Sequence, residues 1–127
     1  MCAMIMVVDD DKHTRKLLHF ILTNAGYEVI EAEDGLDALM QLETTRPQLV
    51  ILDVLMPNLD GFSTIHRIRN NPELDGLPVL FLSSRADVAA EYSGLEAGAQ
   101  EYMVKPFSVT ILLQHIRNLL SDGQFTR

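Results

Sequence analysis

The stretch Leu49-Val50-Ile51-Leu52-Asp53, followed at once by Val54-Leu55-Met56-Pro57, decides how this 127-residue chain is read. Four apolar residues in succession, bounded by Pro47 and Pro57, suit a strand buried on both faces, as at the centre of a parallel sheet. This strand ends in a carboxylate, which cannot stay buried without a partner. In open parallel sheets, ligands bind at the carboxyl ends of the strands. Asp53 is therefore either a site residue at the mouth of a central strand or a cap on the turn that follows.

Upstream, Ile5 to Val8 is a short buried strand ending in Asp9-Asp10-Asp11. Asp11 suits a helix N-cap. Lys12 to Ala25 has helical spacing, with Leu17, Leu18, Ile21, Leu22 and Ala25 on one face and Gly26 as the stop. Tyr27 to Ala32 is a second strand. Asp34-Gly35 opens a short helix to Thr44 that is expected to bury Leu36, Leu39, Met40 and Leu42.

Downstream, Pro57-Asn58-Leu59-Asp60-Gly61 is turn chemistry, and Phe62 to Asn70 is a helix burying Phe62, Ile65 and Ile68. Asn71-Pro72 and Gly76 to Pro78 mark a loop. Val79 to Leu82 is a strand ending in Ser83-Ser84. Asp87 to Ala97 is a helix although Gly94 costs about 1 kcal/mol relative to Ala. Glu101 to Val104 is a strand closed by Lys105-Pro106. Ser108 caps a last helix with Val109, Leu112, Leu113, Ile116, Leu119 and Leu120 inward. Ile111 falls on the opposite face with Gln114, His115 and Asn118. Residues 1–121 are expected to form one domain, and residues 122–127 a tail or linker stub.

Five strands alternating with five helices predict a single-domain, doubly wound α/β sandwich of the flavodoxin-like kind. Its parallel sheet is expected in the order 2-1-3-4-5, with the switch point between strands 1 and 3. The ends of those strands carry Asp9, Asp10 and Asp53. Three carboxylates far apart in sequence thus converge on the crevice where such a fold binds ligands.

Gathering like charges calls for a cation. Oxygen-only ligands with an incomplete protein shell suit Mg²⁺, which keeps waters and adds phosphate oxygens. Lys105 supplies a mobile positive charge at the end of strand 5, and Ser83 a hydroxyl at the end of strand 4. Together these groups suit a phosphoryl group carried on the carboxylate itself. The net charge of −8 disfavours direct nucleic-acid binding through phosphate neutralisation. No apolar run approaches the ~20 residues of a membrane span. The single cysteine, Cys2, fits a cytoplasmic setting. A flavin module would need a Ser/Thr/Gly-rich loop where Asp9-Asp10-Asp11 stands, and no Walker-type loop is present.

Val7-Val8-Asp9-Asp10, Leu52-Asp53-Val54-Leu55-Met56-Pro57, Asp60-Gly61, Leu82-Ser83-Ser84 and Val104-Lys105-Pro106-Phe107 resemble, in order and spacing, the receiver domain of two-component response regulators. The resemblance runs from Met4 to Leu120 and is of the chemotaxis-regulator kind. It implies that Asp53 accepts phosphate from a histidine kinase or histidine-phosphotransfer protein. Asp10 would hold Mg²⁺ directly, Asp9 largely through water, and the backbone carbonyl of Leu55 would complete the protein share. Ser83 stands where the family has Ser or Thr, and Ser84 where Ala or Gly is usual. With Lys105 they would bind the phosphoryl group. Tyr102 holds the place of an aromatic switch residue, and the Lys105–Pro106 bond is expected to be cis.

The resemblance further implies a signalling switch rather than an enzyme, acting through a downstream effector or a homodimer. Its partner surface would be the helix 4, strand 5, helix 5 face near Ile111. A pseudo-receiver that ignores phosphorylation is the alternative. The chain suits a free-standing regulator, a relay intermediate or part of a longer protein. Leu55 is apolar where some members have Asn, and Arg85 is expected to lie against the phosphoryl oxygens. Both features predict a long-lived phosphoryl state.

Overall fold

The computed structural model describes residues 3–125. Its strands are β1 (Met4–Val8), β2 (Glu28–Ala32), β3 (Leu49–Leu52), β4 (Val79–Ser83) and β5 (Glu101–Val104). Its helices are α1 (Lys12–Asn24), α2 (Gly35–Gln41), α3 (Gly61–Arg69), α4 (Val88–Glu96) and α5 (Val109–Phe125). All strand pairs are parallel and the order is β2-β1-β3-β4-β5, as the sequence predicts.

Alternation along the buried strands divides the core into two layers. Met6, Val8, Val50, Leu52 and Phe81 point to one face, under Ala38, Ile65 and Ile68 of α2 and α3. Ile5, Val7, Ile51, Leu80 and Leu82 point to the other, under Leu18 and Leu22 of α1 and Leu112 and Ile116 of α5. The register pairs Val8 with Leu52, Leu52 with Phe81, and Phe81 with Tyr102. This aligns the strand ends so that Asp9, Asp53, Ser83 and Lys105 emerge along one edge.

Four of the acidic residues cap helices at that edge. Asp11, Asp34, Asp60 and Asp87 accept backbone N–H bonds from His13, Asp37, Ser63 and Ala90 at the starts of α1 to α4. Such a cap is worth about 1 kcal/mol. A side chain at Gly61 would collide with the Asp53 carbonyl, so glycine lets α3 begin directly beneath the end of β3.

Several inward faces differ from expectation. Leu36 and Met40 are exposed, and α2 instead buries Gly35 and Ala38, with Leu42 just beyond it. Leu17 and Val109 are also exposed, as is Ala25. Short helices lying on a sheet bury a stripe narrower than the apolar set in their sequence. Pro72–Leu74 forms a 3₁₀ turn within the expected loop, its Leu74 buried. The expected tail begins as helix, because α5 runs to Phe125. Residues 126 and 127 lie outside the described residues.

Candidate functional site

Asp9 follows β1 directly, and its backbone is held on two sides. Its N–H donates to the Ala32 carbonyl, and its carbonyl accepts from Arg15 Nη1 at 2.7 Å. Its side chain is buried and doubly engaged. Oδ1 accepts from the Asp11 N–H at 2.9 Å and Oδ2 from Lys105 Nζ at 2.7 Å. Asp53 follows β3, with its N–H on the Val8 carbonyl. Its Oδ1 accepts from the Val54 N–H at 2.7 Å, and its Oδ2 lies 3.6 Å from Lys105 Nζ. Asp9 is 2% exposed and Asp53 7%, whereas Asp10 faces solvent. Carboxylate oxygens of all three lie within 4.8 Å of one another.

The electrostatics are those of an undercompensated cluster. Burial raises the Asp53 carboxyl above its ordinary value, and the Asp9 charge adds to this. Lys105 and the N–H groups of Val54 and Leu55 oppose the shift without cancelling it. Burial alone would lower the Lys105 ammonium, but its bond to Asp9 and the nearby Asp53 charge raise it, keeping it protonated. One ammonium, paired with Asp9 and Asp53, stands against a cluster of three carboxylates, so the donor set fits a hard divalent cation with room for non-protein oxygens. Asp9, Asp10 and Asp53 supply the carboxylates for it.

Ser83 ends β4 fully buried, and its Oγ accepts from the Arg85 N–H at 3.1 Å. Ser84 is exposed. The Lys105 N–H donates to the Ser83 carbonyl, and the Lys105–Pro106 bond is cis as expected. Tyr102 packs on Phe81, ring centroids 5.8 Å apart, and its hydroxyl donates to the Arg85 carbonyl at 2.8 Å. Burial pushes the Tyr102 phenol up, partly offset by the neighbouring Ser83 hydroxyl.

Arg85 corrects an expectation. Its guanidinium turns to Asp87, Nε to Oδ1 at 3.2 Å and Nη2 to Oδ2 at 2.9 Å. The Asp87 cap of α4 lies within easy reach on the same loop and offers a bidentate carboxylate. Leu55 is exposed beside the site and Ile111 is exposed on α5, so Ile111 is not brought to the carboxylates.

One contact of the site went unread in the sequence, and one residue was noted there without the packing that explains it. Arg15 braces the Asp9 carbonyl, and Gly94 packs against Phe81 and Tyr102. An arginine six residues past an aspartate carries no spacing signal. A glycine inside a helix pattern does carry one, since its cost of about 1 kcal/mol asks for a packing reason.

A family model described as the response regulator receiver domain matches residues 5–117. The response regulator MprA of a Mycobacterium species (strain KMS) is 43% identical over 116 residues, covering 91% of this chain and 50% of that protein. The chain spans about half the length of the curated relatives it matches. Among solved structures, the signal receiver domain of a signal transduction histidine kinase from Syntrophus aciditrophicus superposes with a TM-score of 0.89 at 33% identity, covering 95% of this chain and 92% of that one. The Vibrio cholerae chemotaxis protein CheY4 superposes with a TM-score of 0.88 at 31% identity, covering 94% of this chain and 99% of that one. With its five-stranded parallel sheet and its carboxylates gathered at the switch point, this chain belongs to the response regulator receiver domain family of two-component signalling.

Proposed function

We propose that Asp53 is the phosphoacceptor of a signalling switch, loaded from the phospho-histidine of a kinase or histidine-phosphotransfer protein. The observation that carries this reading is the juxtaposition of a buried, undercompensated Asp53 with Lys105 at 3.6 Å and two further carboxylates. In the transfer the phosphorus–nitrogen bond of the donor breaks, a phosphorus–oxygen bond to Asp53 forms, and the imidazole leaves. The Val54 N–H holds Asp53 in place, and the Lys105 ammonium faces the oxygens that arrive. Mg²⁺ held by Asp9, Asp10, Asp53 and the Leu55 carbonyl would offset the charge of the phosphoryl group.

Once loaded, Asp53 presents acceptor oxygens to the Ser83 hydroxyl and to Ser84. Ser83 Oγ already accepts from the Arg85 N–H, and the Arg85 carbonyl accepts from Tyr102. Movement at Ser83 therefore reaches Tyr102 through one residue, as a shift between states that differ in these contacts. Exposed apolar side chains recur on α4 (Val88, Tyr92, Leu95), β5 (Val104) and α5 (Val109, Ile111). This face would bind an effector or a second copy of the chain. The setting is cytoplasmic in this reading, and no described helix is long and apolar enough to cross a membrane.

Acetyl phosphate with Mg²⁺ tests the reading. Wild type should gain one phosphoryl group, while Asp53→Asn, or wild type in EDTA, should gain none. Equal labelling of wild type and Asp53→Asn contradicts it. Absence of labelling in both, with partner binding retained, would favour a pseudo-receiver.

A further inference from the structure

Gly94 lies in the middle of α4, where a glycine is unfavourable unless something needs the space. A Cβ built there would come within 3.0 Å of both Phe81 Cδ2 and Tyr102 Cδ2. The two rings are not equally free to yield. Phe81 is fully buried, with Phe62 set edge-on against it at a centroid distance of 5.6 Å. Tyr102 is partly exposed and held at its outer end by one hydrogen bond, to the Arg85 carbonyl. A Cβ at position 94 therefore needs a few tenths of an ångström of room, and Tyr102 is the ring freer to give it.

We propose that Gly94 is a positioning residue for Tyr102: the side chain missing from α4 leaves the slot that seats the ring against Phe81 and lets its hydroxyl reach the Arg85 carbonyl. The slot sets how much of the population has the ring seated. Because the Arg85 N–H is also bonded to Ser83 Oγ, the seated ring is linked to the acceptor side of the sheet edge. The slot itself follows from packing alone. Its effect on phosphorylation rests on the assignment of Asp53 as phosphoacceptor.

The experiment has two arms, read on the 127-residue chain. In the first, with no phosphodonor, nuclear Overhauser contacts between the Tyr102 and Phe81 rings are compared in wild type and Gly94→Ala. Wild type should show them at full strength and Gly94→Ala should show them weakened, with far-UV circular dichroism unchanged. Contacts of unchanged strength in Gly94→Ala overturn the proposal whatever Asp53 does.

In the second arm, phosphorylation by subsaturating acetyl phosphate with Mg²⁺ should slow about three- to tenfold in Gly94→Ala, as the seated state is depopulated. In a Tyr102→Ala background the Gly94→Ala change should have no further effect, since the ring it displaces is gone. An equal slowing in both backgrounds overturns the proposal. Should Gly94→Ala fail to fold alone but fold with Tyr102→Ala, the steric pairing is supported. Failure of both to fold would assign the slot to the Phe81 core and overturn it. A wild type that takes no label at Asp53 would refute the phosphoacceptor assignment and leave the first arm standing.

Discussion

Asp53 combines burial with a neighbouring like charge, and both raise its carboxyl above the ordinary value. A raised native value means the folded chain holds this proton more tightly than the unfolded chain does. Its contribution is fully present below the unfolded value and is lost as pH rises through the native one. Asp53→Asn keeps an acceptor for the Val54 N–H and removes the charge. In EDTA at pH 7 it should be more stable than wild type by on the order of 1 kcal/mol in urea unfolding. The gain should vanish in acid, and equal stability at pH 7 would contradict the account. Leu55, exposed two residues beyond the acceptor, offers no hydrogen bond to a water in line with the phosphoryl group. Leu55→Asn should therefore speed loss of label from the isolated phosphorylated chain several-fold, and an unchanged decay would mean that water enters elsewhere. Arg85 does not share this role, being held by Asp87.

At the scale of elements, Glu31 on β2 gathers Arg15, Lys16 and His19 from α1, and Arg15 in turn holds the Asp9 carbonyl. Partial burial pushes the Glu31 carboxyl up, but hydrogen bonds from Lys16, His19 and Arg15 outweigh this and hold it below its ordinary value. With a depressed native value, its contribution is present above the unfolded value and lost as pH falls through the native one. Glu31→Gln should cost about 1 kcal/mol at pH 7, and chemical unfolding at lower pH should show that difference shrinking to nothing. A penalty that persists in acid would point to packing instead. Four strands were legible in the sequence because each ends in an apolar run closed by Asp, Ser or Lys-Pro, whereas β2, Glu28–Ala32, was read from its alternation alone. Helix starts were legible where an Asp precedes the turn, as at Asp11 and Asp87. Helix faces were less so: Leu36 and Met40 are apolar yet exposed, because α2 offers the core only a narrow stripe and that stripe falls on Ala38.

For the whole molecule, the site was legible because topology converts three distant sequence signals into one place. Strand order puts Asp9 and Asp53 side by side, and parallel register brings Ser83 and Lys105 to the same edge. Pairings fixed by packing left less trace: nothing in the sequence turns Arg85 to Asp87 two residues on, and Gly94 marks a packing need without naming the two rings that meet it. Ile111 is 48% exposed while Leu112 and Ile116 of the same helix carry the core. Ile111→Glu should weaken phosphorylation-dependent association, measured by sedimentation or partner capture, and leave Asp53 labelling intact. Loss of both would place Ile111 in the core. Trapping the acyl phosphate shows whether Asp53 itself carries the phosphoryl group. After incubation with acetyl phosphate and Mg²⁺, borohydride reduces an aspartyl phosphate to homoserine, and peptide mass mapping locates it. Homoserine at position 53 alone is the result expected. Homoserine at Asp9 or Asp10, or phosphate retained on a serine or histidine, would contradict the account.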